Sequence, residues 1–221
     1  MTLSSARRTP LFDQVVAQLR EQITTGRWPV GSRIPTEPEL VERLGVARNT
    51  LREAVRALAH NGLLDIRQGS GTYVLATSEL AGVMNRRFAG MPDGDVKELR
   101  FTLETAAAAL AATRRTGADL DVLDLALARR EAAWAADDLE TFVRTDAAFH
   151  QAVVAAAHNQ ALSALYADLG ELLIAELRGH FEGAPLTPDR MCDHGRLVEA
   201  IRAGDPAEAS REAAAVFTQR P

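Results

Sequence analysis

The feature that most constrains this chain is the stretch at residues 32–59, SRIPTEPELVERLGVARNTLREAVRALA. Thr36 followed three residues later by Glu39 is a capping-box pattern, which predicts the start of a helix. Gly45 predicts the tight turn that ends this helix. A second helix is predicted over 48–60, before the Asn-Gly pair. Two short helices joined by a tight turn form a helix-turn-helix unit.

The second helix of this unit has two different faces when its residues are spaced at ~100°. The apolar face carries Leu51, Ala54, Val55 and Leu58, and the opposite face carries Arg48, Asn49, Arg52 and Arg56. Guanidinium groups fit phosphates and guanine edges, and Asn fits adenine edges, so the polar face suits the DNA major groove. From this helix alone, a surface helix with solvated arginines is an equally good interpretation.

The segments on either side of this pair favour the DNA-binding interpretation. Apolar residues recur at helical spacing over 11–25, which predicts a third helix packed against the other two. Residues 63–67 and 72–75 are strand-like runs joined by the glycine-rich segment Gln68–Gly71, which predicts a hairpin. Three helices followed by a glycine-tipped hairpin form a winged helix-turn-helix domain, whose wing can approach the DNA backbone.

The charge distribution agrees with a DNA-binding N-terminus. The whole chain of 221 residues has a net charge of −5, yet residues 1–77 contain ten Arg against seven Asp and Glu. A polyanion would therefore dock on the N-terminal third. The single cysteine, Cys192, excludes an internal disulfide framework and a multi-cysteine zinc site. No long apolar run or signal peptide is present, so we expect a cytosolic protein.

The remainder of the chain indicates a second, all-helical domain. We predict a winged domain at 1–77, a linker with one short helix at 78–95, and a helical domain at 96–221, so the fold class is mainly α. The predicted helices of the second domain are 96–116, 119–136, 138–157, 160–181, 187–203 and 205–219. Alanine dominates their packing faces, which predicts a closely packed antiparallel bundle.

One pair of side chains in this second domain suggests metal chemistry. Asp146 and His150 are four residues apart, so both leave one face of a helix. His194 lies on a later helix that a bundle could bring opposite them. A carboxylate and two imidazoles can ligate a divalent metal, while a simple Asp-His hydrogen bond inside the bundle is the alternative.

The N-terminal motifs carry a family resemblance. The runs GSRIPTEPELVERLGVARNTLREAVRAL and GLLDIRQGSGTYV closely resemble the DNA-binding domain of GntR-family transcription regulators. The resemblance implies DNA contacts by residues of the recognition helix and the wing tip: Arg48, Asn49, Thr50, Arg52 and Gly69. Two positions depart from the family pattern. Pro38 replaces a frequent arginine, and Ala47 replaces a helix-capping Ser or Thr, a cap typically worth ~1 kcal/mol.

The second domain resembles the all-helical effector domain of the FadR/FCD branch of that family. The resemblance rests on DAAFH at 146–150, Asn159, His194, and the Gly-Asp pair at 204–205. Many members bind a metal through one Asp and three His, which implies Asp146, His150 and His194 as ligands of a divalent ion such as Zn, Ni or Mn. The position expected for the last histidine is Val216.

The same resemblance assigns effector-binding residues. An Arg and a Glu on the first bundle helix line the cavity in this branch, which implies Arg100 and Glu104, together with Asn159. Arg100 is suited to clamp a carboxylate, although an intrahelical salt bridge with Glu104 is an equal alternative.

These expectations combine into one functional hypothesis. We expect a homodimeric transcription regulator, as a rule a repressor in this family, that binds a palindromic operator and responds to a small organic acid. A metal-free regulator that responds to an acyl chain or acyl-CoA is the closest alternative, because Val216 leaves the ligand set incomplete. A metal-dependent hydrolase or lyase is disfavoured, since the chain shows no nucleophile motif and an enzyme would not need the winged domain.

Overall fold

The computed structural model describes residues 10–88, 90–181, 183, 186–187 and 191–219. The chain divides into two compact units, Met1–Arg87 and Phe88–Pro221. The described residues are mostly helical, and a two-stranded sheet lies in the first unit. The predicted mainly-α fold class is therefore confirmed.

The N-terminal unit has the predicted order of three helices followed by a hairpin. Its elements are α1 (Leu11–Thr24), α2 (Glu37–Leu44), α3 (Arg48–His60), β1 (Leu64–Arg67), β2 (Gly71–Val74) and α4 (Glu79–Phe88). The two strands pair antiparallel, with Leu64 opposite Val74 and Arg67 opposite Gly71. The helix-turn-helix and the wing predicted from the sequence are both present.

The helix ends follow the predicted chemistry. The Glu39 carboxylate accepts a hydrogen bond from the backbone N–H of Thr36 at 2.7 Å, so the capping box closes the start of α2. Gly45 ends α2 with a φ of 63°, a left-handed conformation in which glycine is not strained. Ala47 precedes α3 without a side-chain cap, as its methyl group dictates.

A small apolar core holds the three helices and the wing together. The buried residues of this core include Val15, Leu19, Ile23, Ile34, Leu40, Leu51, Ala54, Leu58, Leu63, Leu64 and Val74. Trp28 packs against the same cluster. Because the apolar face of α3 packs against this core, the polar face of α3 is exposed to solvent.

The segment predicted as a linker contains α4. This helix packs tightly against the turn that follows α3, because a Cβ atom built on Gly82 would lie 2.2 Å from the carbonyl oxygen of Gly62. Glu79 also accepts hydrogen bonds from Arg20 at 2.6 Å and Asn61 at 3.0 Å. These contacts attach α4 to the N-terminal unit, and the assignment of 78–95 as a linker stays a prediction.

The C-terminal unit is built from seven further helices in its described residues. These are α5 (Asp93–Arg114), α6 (Gly117–Ala135), α7 (Leu139–Ala156), α8 (Gln160–Asp168), α9 (Gly170–Phe181), α10 (Gly195–Ala203) and α11 (Pro206–Gln219). Buried alanines let the helices approach closely, and Ala107, Ala108, Ala111 and Ala112 on α5 are fully buried. Trp134, Phe142 and Phe181 form edge-to-face aromatic contacts in a second cluster.

Two predicted helices of this unit were wrong in their extent. The helix predicted over 160–181 is interrupted at Leu169, and glycine at position 170, a poor helix former, begins the next helix. The helix predicted over 187–203 begins only at Gly195. Residues 188–190 of that prediction lie outside the described residues. Asp193 explains the late start, because its side chain accepts a hydrogen bond from the Gly195 backbone N–H at 2.8 Å.

Among the described residues, no helix combines the length and the apolar character needed to cross a membrane.

Candidate functional site

The exposed face of α3 is the candidate DNA-binding surface. Arg48, Asn49 and Arg52 are exposed on it, and Thr50 is partly buried. The Nε atom of Arg52 donates to a Glu37 carboxylate oxygen at 3.0 Å. The Arg52 side chain is 60% exposed, so solvent screens this ion pair and it is easily exchanged for a phosphate or a base.

The wing presents a second basic group beside its glycine tip. Gly69 is exposed with a φ of 74°, and a Cβ atom built there would meet nothing within 4 Å. Arg67 stacks on the Tyr73 ring at 4.3 Å from its centroid, and its Nε atom donates to Asp65 at 2.8 Å. The sequence analysis did not single out Arg67. A basic residue at the end of the strand that leads into the wing tip is nevertheless a pattern that indicates a contact with the DNA backbone.

The C-terminal unit buries an unusual group of charged and titratable side chains. Six of them are at most 3% exposed: Arg100, Glu104, Arg130, Asp146, His150 and His194. The helices α5, α6 and α7 each contribute to the group, and His194 stands at the N-cap of α10. Charged side chains are rarely buried in this way unless they are paired, so the group is a candidate site.

Three of these residues bring metal-ligand atoms together. Asp146, His150 and His194 each place one such atom within 4.8 Å of the others. The two Nε2 atoms of His150 and His194 are 3.2 Å apart, and Oδ2 of Asp146 lies 3.7 Å from Nε2 of His150. The structure thus brings together all three residues predicted as ligands.

The hydrogen bonds around the two imidazoles orient them as metal ligands. Nδ1 of His150 donates to a Glu104 carboxylate oxygen at 2.8 Å, and Nδ1 of His194 donates to the carbonyl oxygen of Cys192 at 2.9 Å. Since both acceptors lack a hydrogen, each ring holds its proton on Nδ1 and exposes a lone pair on Nε2. The two Nε2 atoms lie 3.2 Å apart, close enough for one cation to bind both, and metal-bound histidines have this hydrogen-bond pattern.

The protonation states fit the same interpretation. Burial lowers the pKa of His194 well below its usual range, and the positive charge of Arg130 lowers this pKa further. Burial alone would raise the pKa of Glu104, but the Arg100 guanidinium and His150 hold it far below its usual range. A neutral His194 keeps the lone pair on its Nε2 atom, and an ionised Glu104 accepts the hydrogen bond from Nδ1 of His150, so the residues present fit a divalent cation.

Arg130 is the member of the group that the sequence analysis missed. Its Nε atom donates to Oδ1 of Asp146 at 2.7 Å, and one terminal nitrogen donates to the carbonyl of Cys192 at 3.3 Å. A helical wheel would have found it, because Arg130 falls on the buried face of α6 with Leu123 and Trp134. A guanidinium here partly neutralises the carboxylate that a metal would use.

The position of the missing fourth histidine is filled by an apolar side chain. Val216 is only 2% exposed and packs with Cys192 and Phe217. A cation at this site would therefore have three protein ligands, and its remaining positions would be open to water or to a carboxylate.

The predicted effector residues are placed in different ways. Arg100 donates through Nε to Glu104 at 2.5 Å and through its terminal nitrogens to Glu176 at 3.3 Å and Asp146 at 3.4 Å. Glu104 also accepts a hydrogen bond from the Tyr166 hydroxyl at 2.5 Å, which leaves it little capacity for a ligand.

The third predicted effector residue, Asn159, caps α8. Its side chain accepts a hydrogen bond from the backbone N–H of Leu162 at 3.2 Å.

A winged helix-turn-helix unit joined to an all-helical unit with a buried polar site defines the class of two-domain DNA-binding transcription regulators. Family comparison gives the same result in detail. The family model for bacterial regulatory proteins of the gntR family matches residues 11–74, and the model for the FCD domain matches residues 95–219. The chain belongs to the GntR family of transcription regulators, in the branch that carries an FCD domain.

Relatives and a solved structure agree with this membership. The chain is 31% identical over 207 residues to the galactonate operon transcriptional repressor of Escherichia coli (strain K12), which covers 89% of the chain and 90% of the relative. It is 33% identical to the HTH-type transcriptional regulator LutR of Bacillus subtilis (strain 168), with 85% and 89% covered. The solved structure of Streptococcus agalactiae GntR is 28% identical, with a TM-score of 0.53 and coverage of 94% and 97%.

These findings confirm the predicted family and the prediction that the chain is not an enzyme, because the family and these relatives are transcription regulators. They also remove the metal-dependent hydrolase or lyase from consideration.

Proposed function

We propose that this regulator is a homodimeric repressor that binds a palindromic operator. Its affinity for the operator falls when a small organic acid binds in the C-terminal unit. The proposal is carried by the buried group of charged side chains around Asp146. Burial of so many ionisable groups is costly for folding, and such groups are common where a ligand is bound. We place the protein in the bacterial cytoplasm, on the nucleoid when it is bound to DNA.

The operator is read by α3 and approached by the wing. In this proposal Arg48 and Arg52 supply the principal contacts to guanine edges and phosphates, while Asn49 and Thr50 add polar contacts. Gly69 lets the wing backbone come close to the DNA. The exposure of the α3 polar face and the open space at the wing tip support these assignments.

The geometry of this class of DNA-binding unit supports a dimer. One recognition helix contacts only a few base pairs, and a two-fold dimer places two such helices on half-sites about one helical turn apart. The operator is therefore proposed to be palindromic, since its symmetry mirrors that of the protein.

The effector is proposed to be a small carboxylate that binds beside a divalent cation, for which Zn, Ni and Mn are candidates. Asp146, His150 and His194 would hold the cation, whose open positions accept carboxylate oxygens when it is bound. Arg100 would exchange one of its carboxylate partners for the carboxylate of the effector. Glu104 would keep the His150 ring in its binding orientation, and Asn159 stays a predicted effector contact.

A metal-free regulator is the second candidate, and two observations favour it. Val216 removes the fourth ligand, and the guanidinium of Arg130 already supplies a positive charge to Asp146 at 2.7 Å. In this alternative an acyl chain or acyl-CoA is the effector.

A metal-dependent binding assay separates the two candidates. The full chain is stripped with a chelator, and its melting temperature is measured with a panel of small carboxylates and acyl-CoAs, each with and without Zn, Ni or Mn. A carboxylate that raises the melting temperature only with metal, and also weakens operator binding, is the expected result. Stabilisation by acyl-CoA without metal, together with no metal bound to the purified protein, would contradict the metal-dependent proposal.

A further inference from the structure

The outward side of α6 is an unusual surface that the DNA site and the buried site do not use. We name it the α6 outer face, and at ~100° per residue its members all lie within about 60° of Leu125. Every member is exposed: Ala118, Asp121, Val122, Leu125, Ala128, Arg129 and Ala132. Val122 and Leu125 are large apolar side chains that are 55% and 52% exposed.

The opposite side of α6 already packs into the core of its own unit. Leu123, Arg130, Ala133 and Trp134 are buried there. A helix with apolar residues on both sides is typical of a helix covered on both sides. The α6 outer face continues onto α7, where Ala148 and Ala152 line a shallow groove with Val122 and Leu125. Small side chains at these positions let another helix approach closely.

The two charges on the α6 outer face are arranged symmetrically. Asp121 lies four residues before Leu125 and Arg129 lies four residues after it. Neither forms an ion pair with another described residue. When two copies of α6 cross antiparallel at Leu125, each Asp121 faces the Arg129 of the other copy. The surface is therefore complementary to itself, as a two-fold interface requires.

We infer that the α6 outer face is a homodimer contact, in which two α6 helices pack antiparallel about a two-fold axis at Leu125. This inference rests on the proposed homodimer and specifies where the two copies meet. The apolar centre would be Leu125 with Val122 and the alanines, and the two Asp121–Arg129 pairs would set the register at its edges. The balanced charge fits a second copy of this chain better than DNA, which would need an excess of basic residues.

Charge-reversal variants of the full chain test this contact directly. Asp121→Arg alone and Arg129→Asp alone each place two like-charged pairs across the interface, so the dimer dissociation constant should rise roughly tenfold or more, as expected for unfavourable juxtaposed charges. An equimolar mixture of the two variants restores both opposite-charge pairs. Sedimentation velocity should therefore show more dimer in the mixture than in either single variant alone at the same total concentration. The double variant Asp121→Arg/Arg129→Asp should form a homodimer.

Two further variants serve as reference points. Leu125→Glu places a charge at the centre of the contact and should favour the monomer, while its circular dichroism spectrum and melting behaviour check that the chain still folds. Glu131→Arg reverses an exposed charge on α6 that lies outside the α6 outer face, and should leave the dimer unchanged.

The outcomes separate this inference from the proposed homodimer. If the unmodified chain is a monomer at every concentration tested, the homodimer itself is refuted. If it is a dimer that Leu125→Glu and both single reversals leave intact, the two copies meet elsewhere and the α6 contact is overturned. If the single reversals weaken the dimer but their mixture does not recover it, the antiparallel register is wrong.

Discussion

Asp146 is the residue on which the buried site of the C-terminal unit converges. Its carboxylate accepts from Arg130 and Arg100, and it lies 3.7 Å from His150. A carboxylate shared between guanidinium groups and a metal position can change partners when a ligand arrives. The chemistry of this site therefore depends on how strongly the arginines hold Asp146.

The first prediction concerns Arg130. Arg130→Met removes a buried positive charge next to the ligand set, so the affinity for Zn²⁺ should rise, on the order of tenfold, which is ~1.4 kcal/mol. Isothermal titration calorimetry, with Zn²⁺ titrated into the chelator-stripped protein, measures this affinity. Arg211→Met, at an exposed position on α11, should leave the affinity unchanged. An equal or weaker affinity in Arg130→Met would show that Arg130 does not oppose metal binding.

The second prediction concerns Glu104, which the structure places behind His150 as a hydrogen-bond acceptor. Glu104→Gln keeps the shape but removes the charge that holds the Nδ1 proton, so metal affinity should fall about 10- to 100-fold. Titration with Zn²⁺ is again the measurement. Glu171→Gln, an exposed residue on α9, is the matched control. No loss of affinity would mean that Glu104 has no part in orienting the ligand.

The third prediction concerns Arg52 on α3. Arg52→Ala should weaken binding to the specific operator by about 1–3 kcal/mol, because a bidentate contact to a base or phosphate is lost. The fold should be unaffected, since the side chain is 60% exposed. Fluorescence anisotropy on a labelled operator measures the binding. The exposed residue Arg196 supplies the control, and a loss of the same size in Arg196→Ala would show that only net charge matters.

At the scale of elements, α4 is held to the winged unit by a close approach between backbones. Gly82 lies against the carbonyl of Gly62, and only the absence of a Cβ atom allows this approach. The contact joins α4 to the turn that follows α3. A shift of α4 would therefore be transmitted to the end of α3.

The fourth prediction tests that contact. Gly82→Ala would place a Cβ atom 2.2 Å from the Gly62 oxygen, so α4 must move, and stability should fall by about 1–3 kcal/mol. Gly179→Ala on α9 is a matched control, since nothing lies within 4 Å of its added Cβ, and it should stabilise by about 0.5–1 kcal/mol. Chemical denaturation followed by circular dichroism measures both. Equal stability of the two variants would show that α4 adjusts freely.

At the scale of the whole molecule, regulation requires that effector binding and operator binding influence each other. A coupling free energy of about 1–3 kcal/mol corresponds to a change in operator affinity of about 5–150-fold. Linkage makes this coupling reciprocal.

The fifth prediction follows from that reciprocity. An effector that weakens operator binding by a given factor must itself bind the operator complex more weakly by the same factor. Titrating the effector into free protein and into the protein–operator complex gives the two dissociation constants. An effector with equal affinity for both would act by some route other than the coupling proposed here.

The sequence by itself determined the winged unit almost to the residue. The capping box at Thr36, the turn glycine at Gly45 and the apolar face of α3 are local signals, and local hydrogen bonds and side-chain spacing are sufficient to place them. It also determined that Asp146 and His150 leave one helix face together, because four residues span about one helical turn.

Only the tertiary structure decided how the distant side chains meet. It placed the two Nε2 atoms of His150 and His194 3.2 Å apart, and it placed the Arg130 guanidinium against the Asp146 carboxylate. These outcomes depend on packing between helices that are far apart in the chain, and helical periodicity carries no information about which helices become neighbours.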